Sequence, residues 1–225
     1  LIEKRGDTAD TIAVGSTRVY NTNLNIIFTN GSGSGSLTIN CDFAQQSPFV
    51  TRLNIVGPGT LVLLINNTHT GGTVINQTTV QFGGDQRFGP VPGGLDPANI
   101  TFGNNATIQA TGNNNLTVNR GIVLKGGGNA IFKTAREINR LTIAGPIVSD
   151  GVSPAALVAA GPGTIILTNT AAASTYVGPT LVTAGTLAVL AGNYAGGGAF
   201  SVSNNAALTL NVPGNTKLDA SNVTL

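Results

Sequence analysis

GPGTLVLLINNTHTGGTVINQTTVQF fills positions 57–82, and from position 161 the chain reads GPGTIILTNTAAASTYVGPTLVTAGTLAV. The first tetrapeptide of the pair, Gly57-Pro58-Gly59-Thr60, returns as Gly161-Pro162-Gly163-Thr164 at an offset of 104. Leu37-Thr38-Ile39 returns as Leu141-Thr142-Ile143 at the same offset. Three residues further out of step, Gly71 pairs with Gly178, Thr73 with Thr180, and Thr79-Val80 with Thr186-Leu187. The extra residues fall within Ala171-Ala172-Ala173. Positions 100–106 then match 200–206 at an offset of 100. Drifting offsets with conserved apolar positions are what loop insertions and deletions leave behind in a duplicated unit.

Within each unit the apolar residues follow a period of two. Leu116-Thr117-Val118 and Leu141-Thr142-Ile143 alternate inward and outward types, the signature of a strand with one buried face. Such runs are often only three to five residues long, and Gly, Asn, Ser and Pro separate them. Glycine (31), asparagine (25) and threonine (29) supply 85 of 225 residues, whereas charged residues make up 9 %. Those residue types disfavour helix. With 41 % hydrophobic residues and a net charge of +2, the chain folds rather than staying disordered.

Short strands, Asn-Asn pairs beside strand ends (Asn104-Asn105, Asn204-Asn205) and the long unit favour one all-β architecture over a sandwich or barrel. The expected fold is a right-handed parallel β-helix, or β-solenoid, of about ten short rungs of roughly twenty residues. Residues 1–20 are read as a lead-in or cap, 21–120 as the first long repeat, and 121–225 as the second, ending in mid-rung. The repeat signature comprises Gly57, Gly59, Thr60, Gly71, Gly72, Thr73, Gly161, Gly163, Thr164, Gly178, Gly185 and Thr186. The Asn pairs are expected to stack along a corner.

These phrases resemble the passenger-associated repeats of bacterial autotransporters. In the first copy the likeness rests on Gly59-Thr60-Leu61, Asn67-Thr68-His69-Thr70-Gly71-Gly72-Thr73 and Thr79-Val80. In the second it rests on Gly163-Thr164-Ile165, Thr175-Tyr176-Val177-Gly178 and Ala184-Gly185-Thr186-Leu187. His69 stands where that family usually has a tyrosine, and Gln77-Thr78 replaces its usual Ala-Gly. The resemblance implies a parallel β-helix and an extracellular or outer-surface location. For activity it implies less, since such passengers include adhesins, proteases and stalks.

Catalytic chemistry finds little to work with. His69 is the single histidine and Cys41 the single cysteine, which removes multi-histidine zinc sites and intramolecular disulfides. The acids Glu3, Asp7, Asp10, Asp42, Asp85, Asp96, Glu137, Asp150 and Asp219 are spread thinly without an Asp-x-Asp pair. Asp42 and Glu137 occupy related points of the two copies, so folding has to be consulted before a polysaccharide lyase or hydrolase is set aside. Gly126-Gly127-Gly128 and Gly196-Gly197-Gly198 lack the Lys-Ser/Thr of a phosphate loop. Low charge argues against nucleic acid, and no run reaches 18 apolar residues. The reading is therefore a non-catalytic, cofactor-free, secreted or cell-surface structural and adhesive module. Its expected partners are itself, end to end or through further rungs of its parent chain, or a surface glycan or protein.

Overall fold

Strand pairing in the computed structural model is parallel throughout the described residues, which are 1–12, 18–20, 23–29, 35–152, 154–170, 172–190, 198–211 and 223–224. The expected coil is present. No α-helix occurs among these residues; a single 3₁₀ turn spans Asp85–Phe88. Three columns of strands form three faces. The first stacks Ile2–Arg5, Leu24–Thr29, residues 53–56 of Leu53–Leu63, residues 73–76 of Thr73–Phe82, Asp96–Phe102, Arg120–Leu124 and Ile147–Ser149.

Ten strands follow one another on the second face, from Ala9–Ile12 through Ala106–Ala110 and Ala156–Ala160 to Val223–Thr224. The third face begins with Arg18–Tyr20 and Phe43–Gln45 and resumes with Asn114–Leu116, Arg140–Ile143, Thr164–Leu167, Gly185–Val189 and Ala206–Leu210. The second face carries a strand in each of ten successive turns, roughly the rung count expected, and five of those turns carry a strand on all three sides. The turns are longer than the sequence spacing implied. Successive inward positions Leu24, Leu53, Thr73, Ile100, Ile122 and Ile147 are separated by 20 to 29 residues.

Alternation explains the core. Leu53, Ile55, Leu61 and Leu63 point inward along one strand and are at most 2 % exposed, while Asn54, Val56 and Val62 between them face out. Each such inward aliphatic side chain is stabilised by roughly 1.5–3 kcal/mol on burial. A single buried cluster runs from Leu24 to Phe200 without a break between the two copies. Phe102 and Phe132 pack across it at 5.0 Å. Cys41 is a free thiol buried in the same core.

Lining the two copies up on these faces reveals a rotation. Gly57–Thr60 turns the chain from first to second face in the third turn, whereas 161–164 turns it from second to third face in the seventh. Positions 37–39 lie on the second face and their counterparts 141–143 on the third. Likewise 100–102 lie on the first face and 200–202 on the second. The duplication thus spans four turns plus one face. Equivalent residues of the two copies look out roughly 120° apart, because a parallel coil accepts a strand on any of its three sides as long as inward alternation is kept.

Candidate functional site

Glycines of the repeat signature sit where one turn crosses the backbone of the last. A Cβ on Gly71 would stand 2.7 Å from the carbonyl oxygen of Thr51, and one on Gly178 1.9 Å from that of Ala155. Gly57 (φ 102), Gly72 (φ 78), Gly161 (φ 85) and Gly185 (φ 65) occupy the left-handed region. At the bulge where Gly57 and Pro58 oppose the single residue Gln77, Thr78 Oγ1 donates to the Gly57 carbonyl at 2.6 Å. Gly59 resumes the ladder opposite Thr78, and Gly163 donates its N–H to Thr134 Oγ1 at 2.8 Å. Thr164 and Thr186 lie side by side on the third face. We expect Gly178→Ala to cost about 1–3 kcal/mol by overpacking, read as a lowered denaturation midpoint, with Gly84→Ala, whose Cβ meets open space, nearly neutral.

Thr73 and Thr180 mark a shared device. His69 Nε2 lies 3.1 Å from Thr73 Oγ1, and in the second copy Tyr176 Oη lies 2.5 Å from Thr180 Oγ1. Both rings are buried, at 1 % and 0 % exposure. His69 is therefore a packed residue, the counterpart of the tyrosine. Desolvation, with a smaller push from the Arg120 guanidinium against a backbone contact from Phe43, lowers its pKa to about 4. Burial raises the Tyr176 phenol, with the Thr180 hydroxyl opposing.

The largest buried polar feature was not legible as a site. Arg120, fully buried, pairs through Nε with Asp85 Oδ1 at 2.6 Å. Its remaining N–H groups donate to the carbonyls of Phe88 (3.2 Å), Gly89 (3.1 Å) and Pro90 (3.4 Å) and to Asn99 Oδ1. One guanidinium thus fastens the excursion 83–95 across the third side of the fourth turn, and Phe88 packs edge-on against Phe82 at 4.9 Å. This is a structural clamp: Asp85 Oδ1 is held by the guanidinium, and its other oxygen is buried within the fold, away from solvent.

Five further acids are likewise engaged. Glu3 pairs with Arg5, Asp10 with the buried Lys4 ammonium, and Asp42 accepts from Thr68 N–H and Oγ1. Asp96 accepts from Ala98 N–H and Asn99 Nδ2, and Asp150 from Val152 N–H. Asp42 opens the third face of the second turn and exposed Glu137 lies past the second face of the sixth, so the two do not converge. Asp219, Gly196 and Gly197 lie outside the described residues, as does Ala171. Among the described residues no group of three His, Cys, Asp or Glu side chains could hold a metal ion.

Polar ladders occupy the outside instead. Half-buried Ser36, Thr60 and Thr79 stand in register on the second face, one per turn at about 4.8 Å, and buried Thr107 continues the column. Beside them Gln81 Nε2 donates to Gln109 Oε1 at 3.2 Å, and on the first face Asn54 Nδ2 donates to Asn25 Oδ1 at 2.9 Å. In the second copy the column beyond Thr107 turns aliphatic, through Ile131, Val158 and Leu181. Asn105 (φ 50) and Asn205 (φ 65) each turn a corner, four turns apart. Asn105 Oδ1 accepts the Asn129 N–H at 3.1 Å, and Asn104 lies over Gly126 of the next turn.

Comparison with known proteins bears on these same residues. The model of the passenger-associated-transport-repeat matches residues 56–82 and 157–189, the two phrases that turn the same corner one face apart. Two segments of the chain are thus similar to that repeat. Over 118 residues it is 38 % identical to the adhesin BmaC autotransporter of Brucella suis biovar 1 (strain 1330). That stretch is 52 % of this chain and 3 % of the relative, so the chain spans a small fraction of that protein's length. No solved structure matches significantly. No described helix is long and apolar enough to cross a membrane.

Proposed function

We propose that this chain is a non-catalytic length of exported rod, serving as spacer and adhesive surface. The observation that carries this reading is the pairing of an unbroken core with outward polar ladders, while Glu3, Asp10, Asp42, Asp85, Asp96 and Asp150 are held in local structural bonds. Parallel ladders give stiffness, since most turns are hydrogen-bonded to their neighbours along two or three faces. Hydroxyl and amide columns offer many weak contacts, which add through multivalency rather than through one tight site. The turn of one face between copies spreads equivalent motifs around the rod, so contact does not depend on one orientation. Rungs of neighbouring segments, in a parent chain or end to end, would continue the ladder at either edge.

Beads carrying the chain at graded density test the adhesive part. Attachment to cell or glycan surfaces is expected to rise more steeply than linearly with density, and no polysaccharide is expected to be cleaved. A flat density response at background level, or cleavage abolished by Glu137→Gln or Asp42→Asn, would overturn the reading. End-to-end growth is read separately by electron microscopy across concentrations, where uniformly short particles count against it.

A further inference from the structure

We propose that the cleft at the corner of the first and second faces, over turns four to six, binds one acidic saccharide unit, a carboxylate- or sulfate-bearing sugar. The proposal rests on the adhesive reading and names its ligand class. The cleft has a volume of 320 Å³ and is lined by Val74, Asn76, Thr101, Gly103, Asn104, Lys125 and Gly126. That is the low end of ligand-pocket sizes, suited to one or two sugar rings.

Its shape comes from glycines. Gly103 lies under Asn76, where a Cβ would approach the Asn76 Oδ1 to 2.9 Å, and Gly126 (φ 83) lies under Asn104. Asn76 is half-buried, and its Oδ1 is buried there without a hydrogen-bond partner. Asn104 is exposed beside it. Lys125 is exposed and has no ion-pair or hydrogen-bond partner among the described residues. The nearest acid in the column, Asp150, stands one turn further on and accepts the Val152 N–H at 3.0 Å.

The lining therefore holds an ammonium, two amides and the Thr101 hydroxyl, with no acid. Donors outnumber acceptors, so an anionic polyhydroxyl ligand fits and a cation does not. Val74, half-buried beside Thr101, supplies a small apolar patch for the C–H face of a sugar ring.

The second copy shows what abolishes such a cleft. At the corresponding positions, one face round, it has Leu181, Thr183, Ser201, Ser203 and Asn204. Ser203 brings a side chain where Gly103 leaves room, and Thr183 replaces the Asn76 amide. The site belongs to the first copy alone.

Nuclear magnetic resonance titration of the full isotope-labelled chain decides the matter. The probes are a glucuronate-containing disaccharide, a sulfated disaccharide, and the neutral glucose disaccharide. Saturating shifts of the Val74, Thr101, Gly103 and Gly126 amides are expected with one or both acidic sugars, which also identifies the anionic group, and not with the neutral one. Lys125→Gln should weaken the response about tenfold, as losing one charge-assisted contact does, while Lys133→Gln leaves it unchanged; each variant's spectrum reports its fold. Equal shifts with the neutral sugar, no shifts, or an unaltered response in Lys125→Gln would overturn the proposal. Should rods adhere multivalently while the cleft stays silent, only this assignment fails. Should the cleft bind but beads fail to adhere at any density, the adhesive reading fails instead.

Discussion

Replacing Arg120 by methionine is expected to destabilise the middle turns by about 3–5 kcal/mol, the loss found when one member of a buried ion pair is removed. Five groups are stranded by that change: the Asp85 carboxylate, the Asn99 side-chain oxygen and the carbonyls of Phe88, Gly89 and Pro90. The double variant Arg120→Met/Asp85→Leu should recover part of the loss, because the buried charge goes with its partner. Urea unfolding gives the total, and amide exchange locates it, with protection falling first across 83–99. A drop below 1 kcal/mol, or a double variant worse than the sum of the singles, would show that the clamp does not hold the excursion.

Acidification is expected to weaken the fold through His69. With a folded pKa of about 4 against about 6.5 unfolded, the unfolded chain takes up a proton between those values and the folded chain does not. Above pH 6.5 both states are neutral and nothing is lost. Stability then falls as the pH drops toward 4, by about 3 kcal/mol at roughly 1.4 kcal/mol per pH unit, and levels off below. Since His69 is the single histidine, urea midpoints from pH 7 to 4.5 isolate it from most carboxylate titration. His69→Gln should flatten the curve over that range. An unchanged slope in that variant would assign the effect elsewhere.

How much of this was written in the sequence varies by feature. The coil itself was legible, because Leu53, Ile55, Leu61 and Leu63 alternate with polar or exposed neighbours and the turns between strands carry Gly and Asn. The position of His69 was legible through Tyr176, which marks the slot as a packed one.

The rotation of the second copy was not. Sequence offsets count residues, whereas a face is set by turn length, and turn length varies with excursions such as 83–95. A reading of about ten rungs of roughly twenty residues therefore hid a third of a turn. Arg120 was missed for a different reason. Charged residues are seldom fully buried, and its partner Asp85 lies 35 residues earlier. A usable signal existed: Gly89-Pro90-Val91-Pro92 leaves carbonyls that no ladder can take, so a buried donor had to come from somewhere. The cleft escaped notice because its floor is an absence, the missing Cβ of Gly103 and Gly126, and only stacking of successive turns places Asn76 and Asn104 over those gaps.

Spin labels report the central claim most directly. Thr79, Thr107, Ile131, Val158 and Leu181 stand in one column of the second face, each opposite the next. Four steps of about 4.8 Å put positions 79 and 181 about 19 Å apart along the rod. Thr186, the counterpart of Thr79 in the repeat, belongs to the third face. Pulsed spin-resonance distances from a label at 79 should thus be shorter to 181 than to 186. If 186 proves the nearer, the copies are not turned relative to each other; if neither distance is near 19 Å, the strands are not stacked as a parallel coil.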